Sequence, residues 1–263
     1  KEIALPTTNF AENAVMTASR VSVVAWCFAL SIYRKGERRK MKQMENEMNV
    51  NVPLEVIKAS EIEPKEVKWL WYPYIPFGKV TLLQGDPGDG KSKLMLSIAA
   101  LLTKGEPLPF TETEENEPVT IIYQTTEDDA DDTVVPRFNS AGGNGENLIF
   151  IKEDEKSLSF GDNRIAEAIE KYHAKLLILD PMSSYIGENC SMNNANETRA
   201  EFNHLIAVAK NTGCAIVIIA HMNKMRDTNP LYRTNGSIDI AGAARSILAI
   251  TRTPNKEAPA ERY

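Results

Sequence analysis

The segment Gly85-Asp86-Pro87-Gly88-Asp89-Gly90-Lys91-Ser92 limits what this chain can fold into more than any other. It has the form G-x-x-x-x-G-K-[ST], and each element of that form has a physical reason. The glycines let backbone N–H groups curl around phosphate oxygens. A helix starting near the lysine aims its positive end at the same charge. Lys91 then reaches the β- and γ-phosphates, and the Ser92 hydroxyl reaches Mg²⁺. The expected ATP-binding residues are therefore Gly85, Asp86, Pro87, Gly88, Asp89, Gly90, Lys91, Ser92 and Lys93. Average composition yields the pattern in about one chain per hundred of this length, so the setting has to decide. Here it lies between an apolar β-type run, Lys79–Gln84, and an amphipathic stretch, Lys91–Leu102. The bland alternative is a glycine-rich turn with no ligand.

Such a loop needs an acid at the tip of another strand to hold the Mg²⁺ shell. Leu176-Leu-Ile-Leu-Asp180 supplies one, and Pro181 biases Asp180 toward extended geometry. An attacking water needs a further carboxylate beyond the γ-phosphate. Glu127, three residues after the run Pro118–Gln124, suits that role, with Asp128 as its rival. The whole acidic group from Glu127 to Asp132 also suits the N-terminus of a helix. After the run Cys214–Ala220 comes His221, placed to sense the γ-phosphate or simply to make a strand-end hydrogen bond. The segment 222–236 carries Lys224, Arg226 and Arg233 against Asp227. It can grip a single-stranded nucleic-acid backbone or be an ordinary solvated loop.

Apolar runs rich in β-branched residues alternate with helical patterns from Lys79 onward, with helices expected over Asp131–Ser140, Arg164–His173 and Thr198–Lys210. Short strands are expected at Leu148–Ile151 and Ser246–Thr251. That alternation implies an α/β domain with a mostly parallel sheet covered by helices on both faces. At 43% hydrophobic and 25% charged, the 263 residues suffice for one large domain, or one domain with arms. The net charge of −6 confines any nucleic-acid contact to a local patch or channel. The odd number of dispersed cysteines, Cys27, Cys190 and Cys214, excludes a zinc ribbon or disulfide scaffold and suggests a reducing cytoplasm.

Charge divides the chain. Residues 1–43 are net +5, the remainder net −11, so the two parts differ in origin or role. Val21–Tyr33 is an apolar run of thirteen residues, too short for a bilayer, which needs about 20. A membrane anchor and a plain β or helical segment are the alternatives for it. A third reading is that Gly36–Lys40 is a ribosome-binding site read in frame, since purine-only codons can encode it, with Met41 or Met44 as the natural start. The expected organisation is a leader or arm at 1–43, a linker at 44–64 and a catalytic domain at 65–263.

The segments WLWYPYIPFGKVTLLQGDPGDGKS, YQTTEDD, LLILDPMSSY, IVIIAHMNK and NGSIDIAGAARSILAITR occur in this order. Together they resemble RecA-superfamily P-loop ATPases of the hexameric replicative helicase type. The nearest group is the plasmid- and phage-borne RepA-like AAA ATPases, with DnaB-type helicases more distant. The resemblance covers about residues 65–253. It implies a RecA-like core that uses ATP and Mg²⁺, with Lys91, Glu127, Asp180 and His221 catalytic and Ser92 and Asp180 at the metal. It also implies a homo-hexameric ring on single-stranded DNA, with loops 183–198 and 222–236 facing the DNA and a primase or replication initiator as partner. No membrane role is implied. Such helicases continue past the last strand into a basic finger that reaches the neighbouring subunit, so a chain ending at Tyr263 reads as truncated. Arg245 and Arg252 are the late arginines that could substitute, apart from Arg262 in the tail. A regulatory ATPase that docks a protein partner according to nucleotide state is the alternative function; a kinase is more distant.

Overall fold

The computed structural model describes residues 54–111, 117–153, 156–187, 195–222 and 242–251, without the side chains of 195–198. The chain divides into two compact units, Lys1–Pro64 and Lys65–Tyr263. In the first, residues 54–64 carry one 3-10 turn, Ala59–Glu61, and are exposed throughout.

The second unit opens with an antiparallel hairpin of β1 (Trp69–Trp71) and β2 (Ile75–Pro76). There follow β3 (Val80–Gly85), α1 (Lys91–Lys104) and β4 (Ile121–Thr125). A π-helical turn, Ala130–Val134, then runs into α2 (Val135–Ser140). After it come β5 (Leu148–Ile149), α3 (Asn163–Tyr172) and β6 (Leu176–Asp180). A 3-10 turn at Met182–Tyr185, α4 (Ala195–Thr212), β7 (Ala215–His221) and β8 (Ser246–Ile250) complete the order. The six strands β3 to β8 form one sheet in the order β5-β4-β6-β7-β3-β8, and every described pairing in it is parallel. This is the expected α/β, RecA-like P-loop core.

The reason is visible in the strand sequences. Side chains alternate between the two faces of a strand, and here both sets are apolar. Leu82, Ile122, Leu177, Leu179, Ile216 and Ile218 pack on one face with Ile165 and Ile169 of α3 and Phe202 and Leu205 of α4. Leu83, Ile121, Leu176, Ile178, Val217 and Ile219 pack on the other with Met95, Ile98 and Leu102 of α1 and Phe138 of α2. A sheet buried on both sides has no polar face to show, so its strands read as continuous apolar runs. Burial of each Leu, Ile or Val contributes roughly 1.5–3 kcal/mol. This core, not any one polar contact, holds the sheet that carries the site.

Helix ends agree with local chemistry. α1 stops at Gly105, whose φ of +73° suits a residue without Cβ, and Lys104 lies in its last turn. α3 starts after Asp162, whose carboxylate accepts the Arg164 N–H. The hairpin was not expected from the sequence. Trp71 anchors it by donating its indole N–H to the Pro109 carbonyl at 2.9 Å, and Ser246 donates to the Tyr74 carbonyl at 2.8 Å.

Candidate active site

Parallel strands end at a common edge, and ligands of open α/β sheets bind beyond that edge. The strand order decides which tips become neighbours. β7 lies between β3 and β6, so Gly85 pairs with His221 across one ladder. Thr125 of β4 pairs with Asp180 of β6 across another. The phosphate loop, His221, Asp180 and the turn carrying Glu127 thus share one end of the sheet.

The loop is shaped as its glycines require. Gly88 and Gly90 have φ of +80° and +91°, and Gly90 caps α1. A Cβ at Gly85 would stand 2.8 Å from the Ile250 carbonyl of β8. The Asp89 carboxylate accepts the Asp86 N–H at 3.1 Å. The first described helical bond of α1 runs from the Leu94 N–H to the Gly90 carbonyl. The N–H groups of its opening turn have no intrahelical acceptor, and Gly90 offers no side-chain cap. They are donors for an anion.

Lys91 is buried. Its ammonium donates to the carbonyls of Gly85 and Asp86, each at 3.0 Å, and lies 3.3 Å from His221 Nδ1. An ammonium has only protons to offer, so a hydrogen bond between the two requires Nδ1 as the acceptor. His221 Nε2 lies 3.4 Å from Glu127 Oε1. Burial holds the Lys91 pKa below its ordinary value, opposed by the carboxylates of Asp180, Asp89, Glu127 and Asp86.

Asp180 is also buried, at 5% exposure. Burial raises its pKa, while hydrogen bonds from Ser92 and Tyr123 pull it back down; Glu127 adds to the rise and His221 opposes it. The Tyr123 hydroxyl donates to Asp180 Oδ2 at 3.0 Å. The Asp180–Pro181 peptide is cis. Ser92 and Asp180 therefore adjoin each other beside the phosphate loop. One hydroxyl and one carboxylate, completed by substrate phosphates, is the oxygen donor set that Mg²⁺ takes, so the residues fit that ion.

Glu127 and Asp128 are separated by their contacts. Asp128 Oδ2 receives Arg137 Nη1 at 2.8 Å, and the Asp128 N–H donates to Thr125 Oγ1 at 3.3 Å. Glu127 instead joins Lys91 and His221 in lining a cleft of about 890 Å³. From the phosphate loop the cleft also reaches Leu96, Ser97, Pro136 and Arg137. Sequence reasoning missed Tyr123 and Arg137, because a tyrosine in an apolar run reads as core and an arginine on a helix as solvent-facing. Lys224, Arg226, Arg233 and the Asn235–Asp239 segment lie outside the described residues. So do Arg252, Arg262 and the leader; Arg245 is exposed and its N–H donates to the Val80 carbonyl at 2.9 Å. No helix among the described residues is long and apolar enough to cross a membrane.

A family model described as an AAA domain matches residues 45–227. The chain belongs to this AAA domain family. No curated protein matches the chain. The part matched to the AAA domain contains Gly85–Lys93, Glu127, Asp180 and His221. Membership makes this a P-loop, nucleotide-binding ATPase.

Proposed function

We propose that the chain hydrolyses Mg²⁺-bound ATP to drive a RecA-like motor on single-stranded DNA. It acts as one subunit of a hexameric ring of replicative helicase type, serving a mobile element in the cytoplasm. One observation carries the catalytic part: the strand order brings Gly85, His221, Asp180 and the Glu127 turn to one end of the sheet.

The phosphates of ATP replace the Gly85 and Asp86 carbonyls as partners of the Lys91 ammonium. The N–H groups of the loop and of the α1 opening turn hold the remaining phosphate oxygens. Ser92 and Asp180 hold Mg²⁺, which supplies charge neutralisation at the phosphates. Glu127 orients a water whose oxygen attacks the γ-phosphorus, while the bond to the β–γ bridging oxygen breaks. The water proton passes toward the Glu127 carboxylate, leaving ADP and phosphate. His221, between Lys91 and Glu127, senses which phosphates are present. The nucleoside lies along Pro136 and Arg137, where the cleft continues.

The DNA part is supported by connectivity. Met222, next to His221, donates its N–H to the Gly85 carbonyl at 3.1 Å. The basic segment holding Lys224, Arg226 and Arg233 therefore starts from a residue bonded to the phosphate loop itself. The regulatory alternative draws on charge, since residues 44–263 are net −11. Replacement of Lys224, Arg226 and Arg233 by Ala tests the choice. Single-stranded DNA affinity should fall and its salt slope flatten by about 0.7 per lost phosphate contact, with ATP affinity retained. Unchanged affinity and slope in a fluorescence-anisotropy titration would contradict this DNA site.

A further inference from the structure

We propose that Tyr123 is a positioning residue for the metal-side carboxylate: its hydroxyl fixes Asp180 and so sets the protein's response to Mg²⁺. The inference rests on the ATPase reading above and goes beyond it, because Tyr123 is not itself among the residues that line the cleft.

The register makes the contact possible. Tyr123 pairs with Ile178 across the β4–β6 ladder, and Asp180 lies two residues further along the same face of β6. Diagonal neighbours on one face of a sheet are within reach of an aromatic side chain but not of a short one. Tyr123 is 1% exposed, yet its hydroxyl is aimed at the end of the sheet where the site lies and donates to Asp180 Oδ2 at 3.0 Å. Ser92 neighbours both the tyrosine hydroxyl and the carboxylate. Of these three groups, only Tyr123 has no role of its own proposed toward ATP or Mg²⁺.

A carboxylate has acceptor capacity at both oxygens. A phenol engages one of them without bringing a competing charge, as a lysine would, and leaves the other to the metal's side. It also stops rotation of the carboxylate about its last bond. Outer partners of this kind commonly change metal affinity by about 10–100-fold when removed. A tyrosine serving only as packing would lose nothing specific to metal on conversion to phenylalanine, because the ring stays.

The test uses the full chain, with ATP and Mg²⁺ as the probes and binding as the readout. ATP affinity is measured by calorimetry in EDTA and across a Mg²⁺ series for wild type, Tyr123→Phe, Asp180→Asn and the double variant. Tyr123→Phe should match wild type in EDTA and need about tenfold more Mg²⁺ for the same gain in affinity. In the Asp180→Asn background it should have no further effect. Equal Mg²⁺ response in wild type and Tyr123→Phe overturns the proposal. A loss of affinity that is the same with and without Mg²⁺, or that persists when Tyr123→Phe is added to Asp180→Asn, overturns it too by showing a packing role. A wild type whose ATP binding ignores Mg²⁺ instead sinks the underlying ATPase reading.

Discussion

Glu127 and Asp128 carry the same charge one residue apart, and their surroundings give them different tasks. Asp128 is occupied by the Arg137 guanidinium, whereas Glu127 faces the cleft and the imidazole of His221. Glu127→Gln keeps the shape and hydrogen-bonding reach but removes the carboxylate proposed as the base. It should bind ATP as wild type does while turnover falls about 10²–10⁴-fold, the usual contribution of a positioned general base. Asp128→Asn should stay within a few-fold of wild type. Phosphate release and nucleotide binding, measured on both variants, separate the two acids. Loss of turnover in Asp128→Asn with survival in Glu127→Gln would exchange their roles.

At the scale of single elements, α3 offers a quantitative check on the fold. The Asp162 carboxylate accepts the Arg164 N–H at 2.9 Å and two guanidinium N–H groups at 3.1 and 2.8 Å. Arg164 in turn donates to the carbonyls of Lys152, Lys156 and Ser157. The Arg164 bond holds the Asp162 pKa below its ordinary 3.8. A depressed folded-state pKa means stabilisation that is complete above the unfolded value and is lost as pH falls through the folded one. Asp162→Ala should therefore cost about 1 kcal/mol at pH 7, or about 2–4 °C in Tm for a unit of this size. The gap should begin to narrow below about pH 4 and close as pH falls through the lower folded-state pKa. A gap that persists undiminished at pH 3 in thermal melts would assign the loss to packing instead of charge.

The same scale shows what sequence could and could not reveal. The central strands were legible because runs such as LLILD and AIVIIA have no polar alternation and end at turn residues. The Gly85–Ser92 loop was legible because few residue types satisfy its backbone and its anion at once. The hairpin escaped notice because its strands have three and two residues, with Pro73 in the turn between them and Pro76 ending the second, too short for any period to register. The π-helical entry to α2 escaped because nothing in the residues of Asp131–Ser140 separates one helical hydrogen-bond spacing from another. Tyr123 and Arg137 acquire meaning only from long-range register and packing. Neither the insertion of β7 between β3 and β6 nor the diagonal from Tyr123 to Asp180 is written in local sequence.

Among the described residues, a sheet buried on both faces brings the candidate site residues to one end. The acidity of the whole molecule, net −6 over the chain, argues against a broad basic DNA-binding face. A ring needs only a few cations from each subunit, because the subunits pool them in one channel and the low-dielectric walls concentrate their field. In the proposed motor the basic segment follows directly on the chemistry, as Met222 is bonded to Gly85 and adjoins His221. Occupation of the basic segment should therefore be felt at the phosphate loop and at Glu127. The measurement that tests this most directly is steady-state phosphate release by the full chain with Mg²⁺ and ATP, titrated with single-stranded DNA at low salt. The account predicts that turnover rises several-fold, saturates with DNA and disappears in Glu127→Gln. Turnover that depends on Glu127 but stays flat across the DNA titration would contradict the motor and leave an ATPase that signals to another partner.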